Sequence, residues 1–270
     1  MPIESLFEWP AATEIIESVS ANEIVLICEH ASNYIPAEYS MLGLNKTDVQ
    51  RHIAWDVGAA ELTRRLAARL GATAFLGTYS RLLIDLNRPV GSAESIPRRS
   101  ENTTIPGNRN LPPDEIARRE EMIFGPFHAA VRSHLDSRRA EGLSTKLVTI
   151  HSFTPVYLGV SRPWHVGVLF GRAEQFAEKV LNGLRVERSL NAAMNQPYVV
   201  SRESDYAIPI HGDDRGIDAV LLEIRNDLIS TSAGAESWAA RLGTVLSEES
   251  TAPTSQVPLD LPPSPSVPEN

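Results

Sequence analysis

Short apolar runs alternate with longer stretches of helical period through the middle of the chain. Residues 23–28 (EIVLIC) are apolar and β-branched at consecutive positions, the pattern of a strand buried on both faces. Residues 146–150 (KLVTI), 166–170 and 219–224 read the same way. Segments 72–79 and 82–86 are further strand candidates, and Val199 and Val200 begin a short one. Leu62, Leu66 and Leu70 recur every fourth position in a helix expected over 57–70, which Gly71 stops. Other helices are expected as a short turn near 13–18, a long region over 114–139 kinked or broken at Gly125-Pro126, and over 173–184 and 233–246. Strands alternating with helices predict an α/β fold, a mixed, mostly parallel sheet flanked by helices.

Between these elements, residues 91–113 are rich in Ser, Asn, Pro and Arg and form a long loop. Loops of that length are lids, binding loops or disordered segments. A polar loop precedes Gly216, and the Pro- and Ser-dense run 251–270 lacks the apolar content to form a packed element. The expectation is one domain over 1–250 with a disordered tail.

Composition narrows the function classes. Lys and Arg total 25 against 34 Asp and Glu, a net charge of -9 that disfavours non-specific binding to nucleic acid or an anionic membrane. Cys28 is the single cysteine, so no intrachain disulfide forms, which fits a reducing compartment. No basic region followed by an apolar run opens the chain, and no apolar stretch is long enough to span a bilayer. The expected location is cytoplasmic.

The chemistry gathers at strand ends. His30 follows EIVLIC and His151 follows KLVTI directly. Each either caps its strand or serves as a metal ligand or general base on a rigid mount. A catalytic zinc needs three protein ligands and an open position. Asp56, in Ala54-Trp55-Asp56-Val57-Gly58, is either that acidic ligand or the N-cap of the helix that follows. Glu29 and Asn33 flank His30 as weaker alternatives, and strand alternation turns Glu29 to the opposite face. His52, His128, His134 and His165 have weaker contexts, while His211 lies in a Gly- and Asp-rich loop within reach of a cleft. Arg81 and Arg88 bracket an apolar segment, and Asn87-Arg88 is a natural pair for gripping a carboxylate, with Asp85 behind. The alternative is a structural ion-pair network. Glu223 sits between Leu222 and Ile224 inside a strand, so it is either paired with an arginine or used as a base. Arg225 shares its face and either holds Glu223 or binds substrate.

Five stretches, EHASNYIP, HIAWDVGA, SRLLIDLNRP, IHSFTP and LLEIRNDLI, occur in that order from about residue 29 to 229 and together resemble the N-formylglutamate amidohydrolase family. The resemblance implies a zinc-dependent enzyme that cleaves N-formyl-L-glutamate to formate and glutamate, a step in histidine breakdown. It also implies the phosphorylase/hydrolase-like α/β fold of the zinc carboxypeptidase and aspartoacylase superfamily. Carried over by position, His30 and His151 are zinc ligands, Glu223 is the base that activates water, and Arg81 polarises the scissile carbonyl. Asn87 and Arg88 hold the substrate carboxylate. Carboxypeptidases carry a glutamate three residues after the first histidine, where this chain has Asn33, so the third ligand is Asp56 or another residue. Formylglutamate enzymes of histidine catabolism usually carry a proline where this chain has Glu29, the pattern of a divergent branch. A related deacylase or carboxypeptidase-like amidase, and a binding protein that has lost its metal, are the rival readings.

Overall fold

The computed structural model describes residues 9–18 and 22–251. In chain order its elements are β1 (Thr13–Ile16), β2 (Ile24–Cys28), α1 (Ala59–Leu70), β3 (Thr73–Gly77), the paired two-residue strands β4 (Arg99–Ser100) and β5 (Thr103–Thr104), α2 (Pro113–Arg119), α3 (Gly125–Ala140), β6 (Lys146–Phe153), the small hairpin β7 (Val156–Tyr157) and β8 (Val160–Ser161), β9 (Val166–Phe170), α4 (Glu174–Arg185), β10 (Ala192–Met194), β11 (Asp218–Arg225) and α5 (Ser232–Thr251). Seven strands form one sheet in the order β1-β3-β2-β6-β11-β9-β10. β3, β2, β6 and β11 run parallel, and β9 with β10 runs against them.

Both faces of the sheet are covered, which is why its central strands read as unbroken apolar runs. Val148, Ile150, Val220 and Leu222 face α1, α4 and α5 in one core. Leu147, Leu221, Val25 and Phe75 face α3 and the loops before it in the other. His151 and Glu223 continue the second face by the period-two rule, and the register sets them side by side on β6 and β11.

Several expectations need correction. The segment near Thr13 is a strand rather than a helix: its four residues are mostly β-branched and pair antiparallel with β3 at the sheet edge. Residues 82–86 are a buried turn, not a strand. Their backbone is satisfied by side chains instead of a ladder, with Asn108 Nδ2 donating to Leu82 O at 2.7 Å and Arg119 Nη1 to Leu83 O at 3.0 Å. An apolar run reports burial, and here burial is reached without a sheet partner. Gly125-Pro126 does not break the long helical region. A wider π-type turn over Glu120–Phe124 joins α2 to α3, so the missing proline N–H costs no bond. Val199 and Val200 form no strand; the edge strand is β10. The loop before Gly216 contains a buried π-type turn, Ala207–Gly212. α5 is described as far as Thr251, and the expected tail after it lies outside the described residues.

Candidate active site

The carboxyl ends of β2, β6 and β11 meet at one edge of the sheet, and the turn after β3 closes over them, the usual place for a site in an α/β sheet. Backbone bonds lock the converging loops together. Asp56 N donates to His30 O at 2.9 Å, Arg81 N to Ala54 O at 3.2 Å, and Ser80 N to Tyr34 O at 2.8 Å. Asp56 is not an N-cap by its side chain. α1 begins after Gly58, whose φ of 84° and closeness to Ile229 O (2.3 Å from where a Cβ would stand) exclude any side chain there. That turn frees the Asp56 carboxylate to point into the cleft.

One donor atom from each of His30, Asp56 and His151 lies within 4.8 Å of the others, and all three residues are buried. Asp56 Oδ2 is 3.3 Å from His30 Nδ1 and 3.6 Å from His151 Nδ1. With bonds of about 2.0–2.1 Å, the edges of a tetrahedral zinc site are about 3.3 Å, so these separations suit a shared ion. Each imidazole is held from behind through its other nitrogen: His30 Nε2 by Asp85 Oδ1 at 2.7 Å, and His151 Nε2 by Glu29 Oε2 at 2.8 Å. A carboxylate behind a histidine fixes its tautomer and raises its basicity, as expected of a metal ligand. Glu29 thus serves His151 from the far side of the ring, and Asn33 is turned away, its amide donating to Val49 O at 2.9 Å.

Charge points the same way. Glu29, Asp56, Asp85 and Glu223 are all buried together, with the Arg81 guanidinium in contact with two of them and Arg88 acting on Asp85 from further off. Such an excess of buried carboxylates demands protons or a cation. Burial works against a charged His151, yet Glu29, Asp56 and Glu223 outweigh it and raise its pKa to about 9. Burial likewise pushes Glu223 up to about 7, with the positive charges of His151 and Arg81 opposing. Asp56 and Asp85 stay below the usual carboxylate range: against burial, His30, His151 and Arg81 hold the first down, and Arg81 and His30 the second.

Glu223 Oε1 lies 3.9 Å from His151 Nδ1, and its Oε2 is buried without a hydrogen-bond partner. Arg81 grips Asp85 through Nε (2.9 Å) and Nη2 (2.6 Å) and reaches Asp56 Oδ1 through Nη1 at 3.3 Å. Three of the five N–H donors of a guanidinium are used in this way, and the remainder can face the cleft.

The cleft measures about 480 Å³ and is lined by His30, Asp56, Arg81, Arg88, His151 and Glu223, among others. A shallower, more open depression along α3, at Ala129, Arg132 and Asp136, lacks such a set of buried carboxylates and imidazoles. Asn87 and Arg88 also line the cleft but are engaged in holding a neighbouring segment. Asn87 Nδ2 donates to Asp205 Oδ1, and its Oδ1 accepts from the amides of Tyr206 and Ala207. Arg88 donates to Ser204 O at 2.6 Å and pairs with the exposed Glu94. Two expected contributors stand elsewhere. Arg225 pairs with Asp227 and is not in the lining. His211 is fully buried behind it, hydrogen-bonded to His128 at 2.9 Å, because the turn that carries it folds inward instead of forming an open loop. His52 pairs with Glu101 on the rim. Arg162, which carries no sequence signal beyond its charge, is in the wall.

Fold and cleft together define a mixed, mostly parallel α/β sheet protein with three buried cleft residues able to hold a metal ion. The chain belongs to the N-formylglutamate amidohydrolase family, whose model matches residues 22–230. A gene product of Agrobacterium tumefaciens of known structure is 34% identical, with a TM-score of 0.85 over 88% of this chain and 94% of that one. The N-formylglutamate amidohydrolase from Ralstonia eutropha JMP134 shares the fold at 18% identity, with a TM-score of 0.70 over 89% of this chain and 97% of that one. No curated protein matches the chain. Among the described residues, no helix is long and apolar enough to cross a membrane.

Proposed function

We propose that this cleft hydrolyses the N-formyl, or a related N-acyl, amide bond of a small acidic amino acid such as N-formyl-L-glutamate, with one zinc ion held by His30, His151 and Asp56. The observation that carries the reading is the convergence of those three donors beside Glu223, whose Oε2 has no hydrogen-bond partner. Nitrogen and carboxylate donors backed by carboxylates suit zinc. The ion supplies positive charge that acidifies water and polarises a carbonyl.

The remaining work falls to the chain. Glu223 takes the proton from the attacking water as its oxygen bonds to the acyl carbon, and returns that proton to the leaving nitrogen as the amide breaks. Burial, which favours the protonated form of this carboxyl, helps Glu223 hold the proton between the two halves of that exchange. Arg81, held rigid by Asp85 and Asp56, presents its remaining N–H groups to the oxygen on which negative charge develops. Asn87 shapes the wall by fixing residues 205–207, and Arg88 beside it, though engaged by Ser204 and Glu94, adds positive charge to the wall that a substrate carboxylate would face. The products are the acid of the acyl group and the free amino acid. With a formyl group they are formate and glutamate, which fits cytoplasmic histidine catabolism.

The test is turnover of a panel of N-formyl, N-acetyl and N-succinyl amino acids by the zinc-loaded protein. Preferential hydrolysis of N-formyl-L-glutamate is expected. Preference for another acyl group would move the protein to a related deacylase activity, and turnover of none would refute the reading.

A further inference from the structure

The hairpin β7–β8 turns through Leu158 (φ 50°) and Gly159 (φ 83°), a two-residue connection with both central residues in the left-handed region. Its ladder extends one step further, with Arg162 N donating to Pro155 O at 2.8 Å. This arrangement places Tyr157 and Arg162 on the cleft wall. The Arg162 guanidinium lies over the Tyr157 ring at 4.5 Å and the Tyr198 ring at 4.8 Å, with Phe153 at 5.9 Å. Aromatic faces hold a guanidinium in place, and the Tyr198 side chain also accepts a hydrogen bond from it, without taking up Nη1.

Arg162 is only 9% exposed, and its Nη1 is buried with no hydrogen-bond partner. The other arginines of the wall are spent differently. Arg81 is committed to Asp85 and Asp56, Arg88 to Ser204 and Glu94, and the exposed Arg99 to Glu101 O and Asn102. Among the described residues, Arg162 is the one cleft arginine with a buried, unmet donor. A buried N–H without an acceptor is costly and is kept where a ligand supplies the acceptor.

We infer that Arg162, clamped between Tyr157 and Tyr198, binds a carboxylate of the substrate and is a determinant of specificity for acidic N-acyl amino acids. The inference rests on the hydrolase reading of the same cleft. It assigns to Arg162 the anchoring that the Asn87-Arg88 pair, largely occupied by the 204–207 segment, leaves incomplete. The carboxylate it takes is either the main-chain or the side-chain group of the amino acid, and the two are separable by experiment.

The experiment compares wild type, Arg162→Gln and Arg162→Lys on N-formyl-L-glutamate and its two monoamides, and measures calorimetric binding of L-glutamate and its two monoamides. Loss of a charge-assisted bond of this kind corresponds to about 10- to 100-fold. Arg162→Gln is expected to raise KM for N-formyl-L-glutamate and Kd for L-glutamate by that factor, with the larger part of the loss in KM. The penalty should vanish for one of the two monoamides, which identifies the carboxylate. Arg162→Lys, which keeps the charge between the rings but loses the fork, should recover part of the loss. Unchanged constants, or an equal penalty on all compounds including both amides, would overturn the assignment. So would failure of wild type to bind L-glutamate. If wild type binds glutamate but turns over no formyl substrate, the hydrolase reading fails while the calorimetry still decides the role of Arg162.

Discussion

Replacing Glu223, a residue only 6% exposed, by Gln keeps the shape of the side chain and removes its charge and its capacity to carry a proton. Two consequences of opposite sign follow. General acid–base catalysis typically contributes about 10²- to 10⁴-fold, so kcat is expected to fall by about that factor. Folding stability should move the other way. The Glu223 carboxyl rises from 4.5 to about 7 on folding because burial disfavours the anion. The native state therefore holds a proton that the unfolded chain has already released, and stability declines as pH rises from about 4.5 to about 7. A shift of that size corresponds to about 3 kcal/mol, present in full above pH 7. Glutamine carries no such cost. In the metal-free protein, Glu223→Gln should be more stable than wild type by up to about 3 kcal/mol at pH 8, with the difference closing near pH 4. The assay is urea unfolding of both proteins across that range beside turnover of the zinc-loaded forms. Normal turnover by the variant would refute the base assignment. A stability difference that does not grow with pH would refute the argument that burial, rather than a structural ion pair, sets the state of Glu223.

Two further predictions concern the residues behind the site. Glu29→Gln leaves His151 in place but weakens the acceptor on its Nε2, so zinc affinity should fall about 10- to 100-fold in a competition titration with a chelator; unaltered affinity would remove Glu29 from the support of the ligand. His211 is depressed from 6.5 to about 4 by burial, and burial together with His211 lowers its partner His128 as well. Both are buried neutral, so the unfolded chain binds more protons below pH 6.5, and stability should fall as pH drops from 6.5 towards 4, by about 3 kcal/mol from His211 alone. His211→Asn should flatten that slope in denaturant unfolding, and an unchanged slope would contradict the buried-neutral pair.

The strands were legible because a sheet covered on both faces forces consecutive apolar residues, and the places where that pattern stops identify His30, His151 and the polar interruption at Glu223. Apolarity reports burial but not hydrogen-bond partners, so 82–86 read as a strand although Asn108 and Arg119 satisfy its backbone. Residues 13–16 were too few to show a period and took their form from the free edge of β3. The supports of the histidines were harder to see. Asp85 lies 55 residues from His30 and Glu29 lies 122 from His151, and pairings of that span come only from strand order. Arg162 was invisible for the same reason, since its distinguishing feature is two tyrosine rings brought together by a hairpin and the segment after β10.

The proposed chemistry requires one ion shared by three side chains. X-ray absorption at the zinc edge, with metal analysis of the same purified sample, reads it directly. The expected result is one zinc per chain in a shell of nitrogen and oxygen donors containing two imidazoles, lost in His30→Ala and in His151→Ala. A protein that takes up no zinc when supplied with it, or whose zinc shell is unchanged in both variants, would contradict the account.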